Sequence, residues 1–309
     1  MTKDETRPPG AWSLDGGRAR VFSGHESFAV RHGWLPKLHE AVRADPTLFQ
    51  SDERAILTLG LGKNMVKSLR FWGEALGLIA QDRAGARITE FGSRLLDEAE
   101  GLDPYLEDPG TLWRLHWRVA AHAGLGAWVV VFQELTDPEI IRERLIQQVQ
   151  VRALTVRGPI TGGTATAHID VLLRTYAQAA DGAAEDVLGC PFQELGLLSL
   201  GTSGGQPVVR LTRGPRPDLD PRSLAYVLHD FWAGTAPGSR TLSMRSLLLD
   251  RRGPGALLKL DEASLHGMLV DLCSRVDDLA IVEDGAGGIN LVATGGTISN
   301  LEDFAWPNR

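Results

Sequence analysis

Cysteine is scarce in this 309-residue chain, with only Cys190 and Cys273. They are far apart and lack metal-type spacing, which excludes a disulfide framework and a Cys-based zinc site and fits a reducing compartment. Long hydrophobic runs are also lacking. The longest, such as residues 127–132, falls far short of the ~20 residues that span a bilayer. No apolar stretch opens the chain, so 1–17, with Pro8, Pro9 and a glycine pair, reads as a flexible lead. No GxxxxGK[ST] phosphate loop is present, and GLGK at 60–63 is too short to replace one. No GxSxG hydrolase elbow occurs. The Gly-rich runs at 158–164 and 293–297 lack a strand-to-helix setting.

Positive charge is short overall, with a net charge of −7. The distribution matters more than the sum. Residues 18–94 carry 12 Lys/Arg against 8 Asp/Glu, leaving a local +4 on a body of −11. A basic module on an acidic body is compatible with DNA, and charge fluctuation gives nearly the same count.

The hydrophobic residues, 43% of the chain, are enough for real cores. Leu35, Leu38 and Val42 predict a helix over 35–42. A second short helix is expected over 51–60, with Asp52 and Glu53 near its positive end. Met65, Leu69, Trp72 and Leu76 recur at helical spacing over 62–76. Short strands are expected at 78–80 and 87–89, around the turn 82–85. A helix followed by a two-stranded hairpin is the order of a winged-helix unit. Thr89 is the expected cap of the next helix.

Further helices are expected over 111–123, 138–151 and 167–178, with a flexible loop at 158–163. A helical turn passing into a strand is expected over 192–200, with a hairpin partner at 208–211. Helices over 222–231, 243–249 and 261–276, then a hairpin at 280–283 and 289–292, resemble a second winged-helix fold. The expected class is mainly α with small β-hairpin wings. The expected division is a lead at 1–17, a winged-helix DNA-binding domain at 18–110, a helical middle at 111–185 and a winged-helix-like domain at 186–309.

DNA affinity comes largely from Lys and Arg on phosphates, and sequence reading from side chains at base edges. Lys63, Asn64, Lys67 and Arg70 on the helix at 62–76 suit both tasks. A solvated helix face would look the same. Arg31 and Lys37 extend the basic set. GHESF (24–28) and RHGW (31–34) place His25, Glu26, Arg31 and His32 close together. A carboxylate beside a histidine can hold a divalent metal or activate water. A structural network, with Glu26 pairing Arg31, is the simpler reading of these residues. Asp108 in the acidic turn 103–110 and Asp170 in HIDVLLRTY are further carboxylates. Capping is the ordinary explanation for both, and Arg174 is an i,i+4 partner for Asp170.

FSGHESFAVRHGWLPK, LGLGKNMVKSLRFWGEALGLI, DPYLEDPGTLWRLHW, HIDVLLRTY and PFQELGLL occur in this order. Together they resemble the SspB-type family of bacterial DNA phosphorothioate-modification systems, from about Val21 to the C-terminus. The resemblance implies a DNA-nicking endonuclease of phosphorothioate modification and phage defence; the expected cofactor is magnesium, held by an acidic cluster, and the cysteine usage points to the cytoplasm. The resemblance implies partners as well: a cysteine desulfurase, an ATPase and an ATP-pyrophosphatase enzyme. On that basis His25, Glu26 and Asp170 are the catalytic candidates, and Glu26, Asp108 and Asp170 the metal candidates. Arg31, Lys37, Lys63, Asn64, Lys67 and Arg70 are the DNA-contact candidates. The alternative is a non-catalytic winged-helix adaptor that binds DNA for the modification complex. No membrane association is expected, and a homodimer is compatible with winged-helix units.

Overall fold

The computed structural model describes residues 21–177 and 189–307. The lead expected at 1–17 and the boundary expected at 185/186 lie outside the described residues. The fold is mixed α/β, about half helical, with three small antiparallel sheets among the described residues.

Helix α1 (Trp34–Ala44) buries Trp34, Leu35, Leu38 and Val42 on one face. Helix α2 (Asp52–Leu59) starts where the Ser51 side chain accepts the Arg54 amide, and ends at Gly60 with φ 62°. That left-handed turn suits glycine, which has no Cβ to clash. Helix α3 (Lys63–Ala75) buries Val66, Leu69, Trp72 and Gly73. Val66 takes the deep place expected of Met65, which is only half buried. A Cβ on Gly73 would lie 2.3 Å from Leu38 Cδ2, so α1 and α3 approach closely there.

Strands β1 (Ile79–Gln81) and β2 (Ala86–Ile88) pair antiparallel, with Ile79 opposite Ile88. The Asp82 carboxylate closes their turn by accepting the Ala84 and Gly85 amides. Thr89 caps α4 (Glu90–Leu96) as expected, accepting the Gly92 amide at 2.9 Å.

Helix α5 (Pro109–Ala121) is buried from Gly110 to Ala121 and forms the central spine. Trp113 and Trp117 are core side chains there. A short α6 (Gly126–Trp128) runs into a π-helical turn at Val129–Glu134. The helix expected over 138–151 does not begin at its first residue. Instead β3 (Glu139–Ile141) forms first, and α7 (Arg142–Val156) follows. The reason is distant in sequence: Ile140 pairs with Val209 of a later strand. Helix α8 (Gly162–Tyr176) also corrects an expectation, because it begins before residue 167. Thr161 caps it by accepting the Thr164 amide. Gly162 and Gly163 are therefore its first turn rather than part of a loop.

After a 3₁₀ turn at Pro191–Leu195, strands β4 (Leu198–Ser203) and β5 (Gln206–Leu211) form the expected hairpin. The sheet order is β3-β5-β4. Helix α9 (Pro221–Thr235) is capped by Asp220, whose carboxylate accepts the Arg222 and Ser223 amides. Then come β6 (Thr241–Ser243), α10 (Met244–Leu249), α11 (Pro254–Leu257) and α12 (Glu262–Cys273). Strands β7 (Leu279–Glu283) and β8 (Ile289–Ala293) precede the last helix, α13 (Ser299–Ala305). The expected hairpin gains β6 as a third strand, in the order β6-β8-β7. One apolar core runs from Phe22 to Trp306. No helix among the described residues is long and apolar enough to cross a membrane.

Candidate nucleic-acid interface

The GHESF loop is held between α3 and α8. Trp72 on α3 is fully buried, and its indole N–H donates to the Phe28 carbonyl at 2.9 Å. Phe71 lies edge-on to His25, with ring centroids 5.9 Å apart. Gly24 has φ 111°, and a Cβ there would meet the Phe71 ring at 2.9 Å. Glycine is therefore required by both conformation and space.

His25 points inward. Its Nε2 lies 2.9 Å from His168 Nδ1 on α8, and its Nδ1 accepts the Ser27 amide at 3.2 Å. Both ring nitrogens are thus occupied inside the protein. Burial pushes the His25 pKa down to about 4, with Arg174 adding to the shift. Burial pushes His168 down to about 3, with His25 adding. His116 on α5 is likewise pushed down to about 3 by burial.

These three rings are neutral in the fold at neutral pH, which has a measurable consequence. An unfolded histidine titrates near 6.5. Below that value the unfolded chain gains protons that the folded chain refuses until about pH 4 or 3. Stability is therefore present at neutral pH and is lost as pH falls through this window. From pH 7 to pH 5 the loss is about 2 kcal/mol for each ring. Urea midpoints at the two pH values measure it, and equal midpoints would contradict the neutral buried rings.

The tip of the loop faces water. Glu26 and Ser27 are exposed, with φ 47° and 63°. Two successive non-glycine residues in the left-handed region carry strain, and such strain gathers at working sites. No hydrogen bond or ion pair among the described residues engages Glu26, so the expected pairing with Arg31 is not formed. Arg31 lies instead 6.0 Å from the Phe28 ring centroid.

The DNA-contact candidates differ in how free they are. Lys67 and Asn64 are exposed on α3. Lys63 pairs with Asp52 at 2.8 Å, and Arg70 with Glu74 at 3.0 Å. Lys37 donates to the Leu59 carbonyl at 3.1 Å. Arg83 and Arg87, on the β1–β2 hairpin, are exposed cations outside the set expected from sequence. Their signal is one arginine within the tight turn and one on the strand just after it.

The other carboxylates are already engaged. Asp108 caps α5 by accepting the Gly110 amide at 2.8 Å. His168 and Asp170 do not open their helix, as expected from sequence, but lie midway along α8. Asp170 pairs with Arg142 at 2.5 Å. Arg174, its expected i,i+4 partner, donates to the Asp170 backbone carbonyl instead. Among the described residues no group of three His, Cys, Asp or Glu side chains is placed to hold a metal ion. Glu26, Asp108 and Asp170 do not form such a group, so these three carboxylates do not fit a shared magnesium ion.

The sequence pattern of the family described as a protein of unknown function (DUF4007) matches residues 22–302. No curated protein matches the chain. Among solved structures, an SspB crystal structure is similar, with a TM-score of 0.82 and 29% identity over 94% of this chain and 90% of that one. A magnesium ion-bound SspB crystal structure is similar at TM-score 0.81 and 30% identity, over 93% of this chain and 88% of that one.

Proposed function

Because this chain belongs to the DUF4007 family and has the fold of the SspB crystal structures, we propose that it is a DNA-nicking endonuclease. It works in phosphorothioate modification and phage defence, in the cytoplasm, beside a cysteine desulfurase, an ATPase and an ATP-pyrophosphatase enzyme. The observation that carries this reading is the strained tip at Glu26–Ser27, exposed next to the basic helix α3. In this reading α1 to α3 with the β1–β2 hairpin act as a winged-helix unit. Helix α3 faces the duplex, with Lys67, Asn64 and Arg31 free to meet it. Glu26 takes a proton from the attacking water, whose oxygen bonds to phosphorus as the ester P–O bond in line with it breaks, and the leaving oxygen takes a proton from solvent. His25 holds the tip from below.

Supercoiled plasmid tests the proposal directly. Purified protein is incubated with magnesium, with manganese and with EDTA. Relaxed circles that appear with the protein support nicking. Tight binding without relaxation supports the second reading, a DNA-binding adaptor. The inward-facing nitrogens of His25 favour that alternative.

Both readings predict phosphate contacts by α3. Each Lys–phosphate contact adds about 0.9 to the slope of log affinity against log salt. Lys67→Gln is expected to remove about that much. Lys63→Gln is expected to remove less, because Asp52 already holds its ammonium. Fluorescence anisotropy with a labelled duplex across a salt series reads both slopes. An unchanged slope in Lys67→Gln would take α3 off the duplex.

A further inference from the structure

We propose that His168 is a positioning residue that holds the His25 ring through its Nε2 and thereby keeps the shape of the Glu26–Ser27 tip. This rests on the reading of that tip as the working part of the nickase.

The hydrogen bonds run in one direction. The Ser27 amide can only donate, so His25 Nδ1, which receives it, carries no proton. A neutral His25 therefore has its proton on Nε2, and that N–H donates to His168 Nδ1. His168 in turn carries its proton on Nε2. Among the described residues that nitrogen has no hydrogen-bond partner, and it sits in an apolar wall. Trp128 and Phe22 form the wall, with ring centroids 5.6 and 5.9 Å from that of His168. The relay is Ser27 N–H to His25 to His168, and it ends there.

The other His25 tautomer would break the first link and reverse the second. Its Nδ1–H would meet the Ser27 N–H, donor against donor. Its bare Nε2 would then demand a proton from His168 Nδ1. The Ser27 amide sets the His25 tautomer, and His168 Nδ1 supplies the acceptor that holds the ring in that orientation. Ser27 and Glu26 hold a backbone shape that non-glycine residues adopt only when their surroundings impose it. The bond to His25 is one such constraint, and the Phe28 amide donating to the His25 carbonyl at 2.8 Å is another. His168 is buried behind His25 on α8, so it acts on the reaction only through His25 and the tip.

Two variants separate this role from simple packing. His168→Leu fills much of the space and removes the acceptor. His168→Asn puts an amide oxygen close to where Nδ1 stood. In His168→Leu, plasmid nicking turnover is expected to fall about 100-fold, as for a misplaced reacting group, with duplex affinity unchanged. Hydrogen exchange at the Ser27 amide is expected to speed up. His168→Asn is expected to recover both. Nitrogen-15 spectra of the imidazoles are expected to show His25 with its proton on Nε2 in the wild type. Unchanged turnover and unchanged Ser27 exchange in His168→Leu would overturn the proposal, as would a His168→Asn protein as impaired as His168→Leu. If the wild type fails to nick, the nickase reading fails. The imidazole spectra and Ser27 exchange then still decide whether His168 holds the tip.

Discussion

A Glu26→Gln protein is expected to relax supercoiled plasmid at least about 100-fold more slowly than the wild type, at the lower end of what a positioned general base contributes. Its urea midpoint and duplex affinity are expected to stay where they were. The carboxylate is exposed and bears no ion pair among the described residues, so its removal leaves no buried group stranded. Surface substitutions of that kind stay within about 0.5 kcal/mol. Glutamine keeps the size of the side chain and cannot take a proton. Asp170→Asn is the internal comparison. That carboxylate is spent on Arg142, and its loss is expected to loosen α7 against α8 rather than slow the chemistry. A folded Glu26→Gln protein that nicks at the wild-type rate would remove the tip carboxylate from the mechanism.

The largest effect on stability is expected at Trp72. Trp72→Ala is expected to cost about 3–5 kcal/mol, the range for deleting a buried aromatic side chain. The indole packs against Phe71 and Trp128, with centroids 5.5 and 5.7 Å away. It also supplies the N–H that the Phe28 carbonyl accepts. Trp72→Phe keeps most of the packing and removes that bond, for about 1 kcal/mol. Urea midpoints give both numbers. Protease cleavage near the GHESF loop is expected to rise in both variants, since each frees the backbone at Phe28. A Trp72→Ala protein with the wild-type midpoint would contradict the core position of this ring.

Local patterns in the sequence carry the first hundred residues well. Helix α3 announces itself by apolar residues at helical spacing, and its hairpin by the turn at Asp82–Gly85. Ser51 and Thr89 are caps in the structure because their hydroxyls reach nearby amides. Features that depend on distant partners are not legible. Strand β3 looks like the start of α7 until β5 pairs with it. The GHESF loop shows its polar residues but not which way they face. His25 turns inward because α8 presents His168, and nothing in HIDVLLRTY marks that histidine as its partner. The clue is a polar ring set among Ala165, Ile169 and Leu172, all buried on α8. The carboxylates mislead for a similar reason. Asp108 is consumed by its own helix, and Asp170 by an arginine on the neighbouring one.

The separation between His25 and His168 also has a consequence for the life of the protein before it is complete. The two rings are 143 residues apart in the chain. A ribosome adds about 5–20 residues per second, so His25 is made roughly 7–30 s before His168 exists. Through that interval the loop beside α1 to α3 has no second ring to lean on. In the nickase reading, the residues of the helix that meets DNA are thus made before the tip can take its shape. An enzyme that breaks the genome's backbone would in this way be kept harmless during its own synthesis.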